Sequence, residues 1–278
     1  MQIAALDNDT IKLINTAQVI TSVSTAVKEL LENAFDANAK SIDITLLNAG
    51  SSLIQVKDDG TGISKENAQF MALSSYTSKI SYFSDLDTLQ TYGFRGEALA
   101  ALCAVADVVI TTKPDQEDVA TTYVLDHSGR ISNSFSCHRS RGTTIQVKDL
   151  FKRIPVRRQL ITNPKKGLQE IKVLESLLKS YAICRFYARI NFRVDNSTIF
   201  SKLSSNSLKE SIGHIFGKKA TDSMTWLEFE NTEVSMQLMV PSRNTIEISD
   251  VLNSYGRYIF VNDRPIQHKQ LDKDCPKK

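Results

Sequence analysis

Between Ile20 and Ala37 the apolar positions Val23, Val27, Leu30, Leu31 and Ala34 recur at helical spacing, a stripe that a helix would turn toward a core. The period then changes to two. Ile42, Ile44 and Leu46 alternate with polar neighbours, and Leu53-Ile54-Gln55-Val56-Lys57 alternates again after the turn-forming Asn48-Ala49-Gly50-Ser51, which predicts a hairpin. Further strands are expected at 105–111, 123–125, 143–147, 190–194 and 198–202. An Ala/Leu-rich helix is expected over 96–103. A longer one over 164–181 opens on proline and carries Ile171, Leu174, Leu178 and Tyr181. The Ser/Asn-rich stretch 203–207 marks a boundary. Beyond it a helix is expected at 208–216 and strands at 233–240 and 258–261, while 272–278 shows no packing pattern. Helices and hairpins without strict βαβ alternation predict an α+β fold.

At 278 residues, 41% hydrophobic and 23% charged, the chain can bury a core without disulfides or metals. No apolar run approaches the roughly 20 residues of a membrane span. The N-terminus lacks a basic region and meets Asp7 early, which argues against a secretory signal and for a cytosolic or nuclear protein. Cys103, Cys137, Cys184 and Cys275 form no CxxC pair, and the four histidines lack metal-ligand spacing, so reduced thiols are expected. Charge is divided: residues 1–120 hold 8 Lys+Arg against 16 Asp+Glu (net −8), and residues 121–278 hold 26 against 15 (net +11). The basic half suits either a polyanion or an ordinary solvated lysine-rich surface.

Three stretches bear chemistry. Glu29, Asn33 and Asp36 lie at i, i+4 and i+7, a polar stripe that could hold a magnesium ion and a water, or could simply face solvent. Asp58-Asp59-Gly60-Thr61-Gly62 follows a strand; its glycines allow close backbone approach, and a carboxylate at the strand end can accept from an exocyclic amine. Gly93-Phe94-Arg95-Gly96 precedes a helix and offers free amides to an anion, after a long polar stretch from Thr77 to Thr91 suited to a lid. Gly213 to Lys219 imitates a P-loop, but its glycines enclose three residues rather than four, and Lys218 is followed by lysine.

In this order the stretches resemble the ATPase superfamily of gyrase, Hsp chaperones, histidine kinases and MutL. Residues 29–37 are similar to its first motif, 58–62 to its second, and Gly142-Thr143-Thr144 to its last. Gly93-Phe94-Arg95-Gly96-Glu97-Ala98-Leu99 resembles the MutL form of the third, and Asp149-Leu150-Phe151 with Pro155-Val156-Arg157, and Phe260-Val261-Asn262 with Arg264-Pro265, also look like MutL. The likeness runs from about Ile11 to Gln267. It implies a two-layer sandwich of mixed β-sheet and helices over 1–203, with a lid at about 77–96, and an incomplete α/β second subdomain over 204–278. It implies Glu29 as general base or water-orienting residue, Asn33 as ligand of Mg2+, and Asp58 as acceptor from the adenine amine with Thr143 in support through water. ATP would further meet Gly60, Gly62, Ile63, Thr77, Ser78, Lys79, Gly93, Phe94, Arg95, Gly96 and Leu99.

Departures refine the resemblance. Thr16-Ala17-Gln18-Val19-Ile20 stands where most MutL proteins carry Ala-Gly-Glu-Val-Ile. With Phe151-Lys152-Arg153-Ile154-Pro155 it resembles the accessory postmeiotic-segregation subunit of eukaryotic MutL heterodimers. Asn38 replaces a glycine, and Asp59 replaces asparagine, adding charge expected near the metal. The sequence ends soon after Leu271, before the family's lysine for the γ-phosphate, so slow hydrolysis is expected. The resemblance implies a nuclear protein that associates with a second MutL subunit under nucleotide control. The basic half, at +11, suggests non-specific DNA contact through phosphates, for which Lys148, Lys152, Arg153, Arg157 and Arg158 are candidates, with Lys165 and Lys166 beside them, or else, for Arg157 especially, contact between the two domains. The alternative is an interaction module with no significant catalysis.

Overall fold

The structure, a computed structural model, describes residues 16, 18–242 and 257–266. The expectations for the stretch before Thr16, for Ala17 and for residues 267–278 lie outside the described residues. Contacts divide the chain into two compact units, residues up to 177 with 190–201, and residues 178–189 with those from 202 onward.

In the first unit, Ser22 opens helix α1 (Val23–Asp36) with a capping box. Its hydroxyl accepts from Thr25 N at 3.2 Å, and the Thr25 hydroxyl accepts from Ser22 N at 2.9 Å. Two amide donors at the start of the helix are thereby satisfied. The predicted stripe Val23, Val27, Leu30, Leu31 and Ala34 is buried, together with Ala26 and Phe35. At roughly 1.5–3 kcal/mol for each large aliphatic side chain taken from water, that burial holds the helix in place.

The stripe packs over an eight-stranded mixed sheet. Its strands are β1 (Ser41–Leu47), β2 (Leu53–Asp58), β3 (Asp107–Lys113), β4 (Ala120–Leu125), β5 (Ile131–Cys137), β6 (Gly142–Lys148), β7 (Arg189–Val194) and β8 (Ser197–Lys202), in the order β5-β4-β3-β6-β2-β1-β7-β8. The alternation read from the sequence becomes registered rows on the covered face. Leu46, Ile54, Val147 and Val108 form one row, and Ile44, Val56, Ile145 and Ile110 the next. One step further, the row turns polar: beside Ile42 come Asp58, Thr143 and Thr112, all buried. The period of two thus carries a carboxylate and two hydroxyls to the inner face at one end of an apolar sheet.

Short helix α2 (Lys65–Ala68) follows β2, and α3 (Ala98–Val105) packs against α1 and β3. α4 (Pro155–Ile161) and α5 (Pro164–Cys184) follow β6. The sequence pattern missed β5, whose Ser- and Asn-rich residues are mostly exposed; main-chain pairing to β4 makes it a strand. It missed α4 too, which buries no side chain. α3 starts at Ala98 instead of residue 96, because Gly96 takes a positive φ of 63°.

The second unit contains the end of α5, α6 (Leu208–Phe216), α7 (Lys218–Asp222) and the hairpins β9 (Met224–Glu230) with β10 (Ser235–Pro241) and β11 (Ile259–Val261) with β12 (Arg264–Ile266). Ser207 caps α6 by accepting from Glu210 N at 3.1 Å. Lys202 is 1% exposed, and its ammonium donates to the carbonyls of Phe186 and Ala188. Burial lowers its pKa to about 8.

Candidate nucleotide site

The polar face of α1 meets the glycine loop through one lysine. Lys79 Nζ donates to Asn33 Oδ1 at 2.9 Å and to Asp36 Oδ2 at 2.5 Å. Asp36 also accepts Tyr92 N–H on Oδ1 (2.8 Å) and Gly93 N–H on Oδ2 (3.1 Å). Its side chain is 6% exposed and takes three donors, so in this arrangement Asp36 anchors the loop and does not share the outward stripe with Glu29. A Cβ on Gly93 would lie 2.9 Å from Lys79 Nζ and 3.6 Å from Asn33 Oδ1, so glycine keeps the loop against the helix. Glu29 stands one turn before Asn33, with its side chain 31% exposed. Burial raises its pKa above the ordinary carboxylate value and Glu32 adds to this, while Lys28, Lys79 and Arg95 oppose it.

The other end of the glycine loop is tied down as well. Gly96 leaves no room for a side chain, since a Cβ would come 2.1 Å from the Tyr76 carbonyl oxygen. The Glu97 carboxylate accepts Ser74 Oγ at 2.7 Å and Ser75 N at 2.9 Å, joining the loop to the segment before Thr77. Thr77 Oγ1 accepts Lys79 N at 3.2 Å. Arg95 lies 5.1 Å over the Phe94 ring and is exposed, as is Ser78, while Leu99 is half-buried on α3.

The turn after β2 adjoins the C-terminal end of α1. Thr61 N donates to the Ala37 carbonyl at 2.9 Å, and a Cβ on Gly60 would come 2.7 Å from that same oxygen. Asp58 Oδ1 accepts Gly60 N at 2.9 Å and Thr143 N at 3.1 Å; Oδ2 accepts no donor among the described residues. Burial raises the pKa of this carboxyl and Asp59 adds to the rise, whereas the two amides and Arg139 oppose it. Thr143 Oγ1 is 3.2 Å from Thr112 Oγ1, which in turn accepts Ile63 N at 2.8 Å. Gly62, at φ 76°, has its Cβ position 2.7 Å from the Lys113 carbonyl. Glu29, Asn33, Lys79 and Gly93 therefore form one group and Asp58, Gly60, Gly62, Ile63 and Thr143 another, with α1 touching both.

Thr112 was legible, as the inward position of β3 two residues beyond Ile110. Arg139 and Arg141 carried no such signal. The β5–β6 connection folds them onto the turn, Arg139 Nη2 donating to Asp58 O at 2.9 Å and Arg141 Nε to Gly60 O at 3.1 Å.

Two departures from the family pattern have local causes. Asn38 adopts φ 58°, a left-handed conformation that asparagine tolerates better than most residues and glycine best. Asp59 accepts the Lys40 and Ser41 amides, both at 2.8 Å, fixing the entry to β1. Asp59→Ala is expected to lower stability by about 1 kcal/mol in chemical denaturation. Asp59→Asn, which retains an acceptor, should leave the magnesium dependence of nucleotide binding unchanged. A shifted magnesium midpoint in Asp59→Asn would place the charge at the metal after all.

The basic residues are only partly available. Arg157 donates to the Ile20 carbonyl at 2.9 Å and lies 5.6 Å over the Phe151 ring. Arg158 pairs with Asp149 at 2.8 Å, and Lys152 pairs with Asp107. Lys148 and Arg153 are exposed, with no ion-pair partner among the described residues.

Residues 20–150 match the family model of the histidine kinase-, DNA gyrase B- and HSP90-like ATPases. The chain is 38% identical over 265 residues to human PMS1 protein homolog 1, covering 94% of this chain and 28% of that protein. It is 40% identical over 228 residues to the chicken mismatch repair endonuclease PMS2, covering 80% of this chain and 26% of that one. The chain thus spans about a quarter of the length of these relatives. Among solved structures, the N-terminal domain of a DNA repair protein superposes with a TM-score of 0.78 at 29% identity, covering 98% of this chain and 83% of that one. The Aquifex aeolicus MutL ATPase domain complexed with ADP gives 0.68 at 28% identity, covering 92% and 87%. The chain belongs to the MutL family of DNA mismatch-repair proteins, as a PMS-like ATPase domain of the gyrase, Hsp90 and histidine kinase fold.

Proposed function

We propose that residues 1–203 form an ATP-binding domain with a lid at about 77–96, that residues 204–278 belong to a second subdomain, and that bound nucleotide governs association with another MutL subunit and with DNA. The observation that carries this reading is the cluster Lys79–Asn33–Asp36–Gly93, in which one cation ties a helix face to an amide-rich loop. The ADP complex of the similar Aquifex MutL domain supports a nucleotide as ligand.

Asp58, with Oδ2 open, accepts from the adenine amine, and Thr143 holds Asp58 through its amide. Gly60, Gly62 and Ile63 set the backbone beside the base. Thr77, Ser78, Lys79, Gly93, Phe94, Arg95, Gly96 and Leu99 enclose the phosphates, chiefly through amides and the Lys79 and Arg95 cations. Glu29 takes the proton of the attacking water. Among the described residues no three His, Cys, Asp or Glu side chains gather to hold a metal alone. Mg2+ keeps few protein ligands and draws others from phosphate and water; Asn33 Oδ1 would supply the protein oxygen. When bound, Mg2+ neutralises phosphate charge. Because Lys79 already donates to Asn33 Oδ1 at 2.9 Å, it must withdraw or re-aim toward phosphate, which favours slow turnover.

The test is titration of the chain with Mg-ATP, followed by sedimentation with a partner subunit and by DNA binding over a salt series. We expect Mg-ATP to bind and to strengthen association. DNA affinity carried by Lys148 and Arg153, together with Lys152, Arg157 and Arg158 once released from their partners, should fall steeply as salt rises. Absence of nucleotide binding would overturn the reading. DNA affinity indifferent to salt would remove the phosphate contacts from it. The chain is expected to act in the nucleus, alongside DNA.

A further inference from the structure

Beyond the motif residues, the connection between β5 and β6 lies directly on the turn that carries Asp58. A Cβ on Gly142, which has φ 112°, would come 2.2 Å from the Asp58 carbonyl oxygen, so the two backbones meet without space between them. Arg139 and Arg141 flank this contact. Arg139 Nη2 donates to Asp58 O at 2.9 Å. Arg141 Nε donates to Gly60 O at 3.1 Å, and its Nη1 reaches Asp115 at 3.1 Å, beyond the end of β3. Three segments, 58–62, 113–115 and 138–142, are thereby bound together around one buried carboxylate.

The two arginines differ. Arg141 forms its ion pair with an Asp115 that is 61% exposed, and pairs of that kind contribute little. Arg139 is half-buried, has no salt-bridge partner among the described residues, and its Nη1 is buried without a hydrogen-bond acceptor. Burying a cation and leaving one of its donors unused costs stability. The groups facing Asp58 are Arg139 and Asp59 as charges, with Gly60 and Thr143 as amides. Arg139 is the one cation among them, and it adds to the two amides in opposing the burial that raises the pKa of this carboxyl.

We propose that Arg139 is a positioning residue for base recognition: by donating to the Asp58 main chain beside the Gly142 contact, with its charge next to the carboxylate, it keeps Asp58 aimed at the adenine amine. This rests on the nucleotide reading above. A protonated Asp58 would present a hydroxyl to an amine that itself needs an acceptor, so losing the cation weakens ATP binding selectively and first on the acid side.

The experiment titrates Mg-ATP and Mg-GTP against the whole chain and its Arg139→Gln and Arg139→Lys variants, from mildly acid to mildly alkaline pH. Glutamine keeps a donor for the Asp58 carbonyl and removes the charge; lysine keeps the charge. For Arg139→Gln we expect ATP affinity to fall about tenfold, the scale of one hydrogen bond to a charged group. We also expect its pH dependence to move to higher pH and its preference for ATP over GTP to shrink. Arg139→Lys should retain the wild-type pH profile. Equal loss of ATP and GTP with an unmoved profile would overturn the proposal and leave Arg139 a structural tie. So would an Arg139→Gln variant that matches the wild type, or an Arg139→Lys variant whose profile moves as far as that of the glutamine variant. If Arg139→Gln does not fold, Arg139→Lys decides against the wild type: an unmoved pH profile supports the proposal, and a profile moved to higher pH overturns it. Wild-type protein that binds neither nucleotide would instead refute the nucleotide site itself.

Discussion

Glu29→Ala should reduce ATP turnover by about 10²- to 10⁴-fold, the usual contribution of a positioned general base, while leaving nucleotide affinity near its original value. The side chain stands one helical turn before Asn33, in a half-buried position where burial raises the carboxyl pKa. Only the ionised form can take a proton from water. A raised pKa means that this form is lost sooner as pH falls, so wild-type turnover should decline on the acid side at a pH above the ordinary carboxylate range. The cations Lys28, Lys79 and Arg95 limit the rise, and Glu32 increases it. Glu29→Gln, similar in shape but unable to act as base, should be as slow as the alanine variant and lack that acid limb. Measuring turnover, nucleotide affinity and partner association together also separates the two functional readings. Loss of hydrolysis with association intact favours a nucleotide-gated module; turnover that survives in Glu29→Ala removes Glu29 from the chemistry.

Asp58→Asn is expected to weaken Mg-ATP binding by roughly 100-fold or more with little change in fold, because a site built to pair with a polar group discriminates strongly when that pairing fails. The carboxamide oxygen can still accept the Gly60 and Thr143 amides that now reach Oδ1 at 2.9 and 3.1 Å. Its NH2 group then occupies the place of Oδ2, and two donors face each other where an amine should meet an acceptor. Asp58→Ala should lose affinity as well and also lose stability, by about 1–3 kcal/mol for each buried amide left unpaired. Calorimetric titration against ATP, with a denaturant melt of both variants, checks the pair. Wild-type affinity in Asp58→Asn would sink the assignment of Asp58 to the base.

These two residues differ in how far the sequence alone could reach them. Glu29 and Asn33 were legible as one side of a helix whose other side is apolar, because a period of 3.6 fixes which residues share a face. Asp58 was legible as a strand-end carboxylate before glycines. The alternation Ile54, Val56, Asp58 already implied that it points inward, toward the face of the sheet that also holds Val147, Ile145 and Thr143. Asp36 shows the limit. Spacing put it with Glu29 and Asn33, yet the fold turns it to three donors on another segment, and no count of residues along α1 contains the position of Lys79 or Gly93. Strand β5 and helix α4 escaped for a related reason, since neither buries an apolar face that a periodic pattern could register.

The sequence by itself therefore determined the α+β class, the apolar faces of α1 and of the central strands, and the order of the motifs that mark the MutL family. Local periodicity and turn chemistry are properties of neighbouring residues, and they survive without knowledge of what packs against them. The tertiary structure decided the rest. It sent Asp59 to the Lys40 and Ser41 amides, tied Arg157 to the Ile20 carbonyl, and folded Arg139 and Arg141 onto the Asp58 turn. Each of these is a long-range polar contact, set by which carbonyl or amide a side chain meets once the sheet has closed. Charge and residue type leave that choice open, and only the packed backbone makes it.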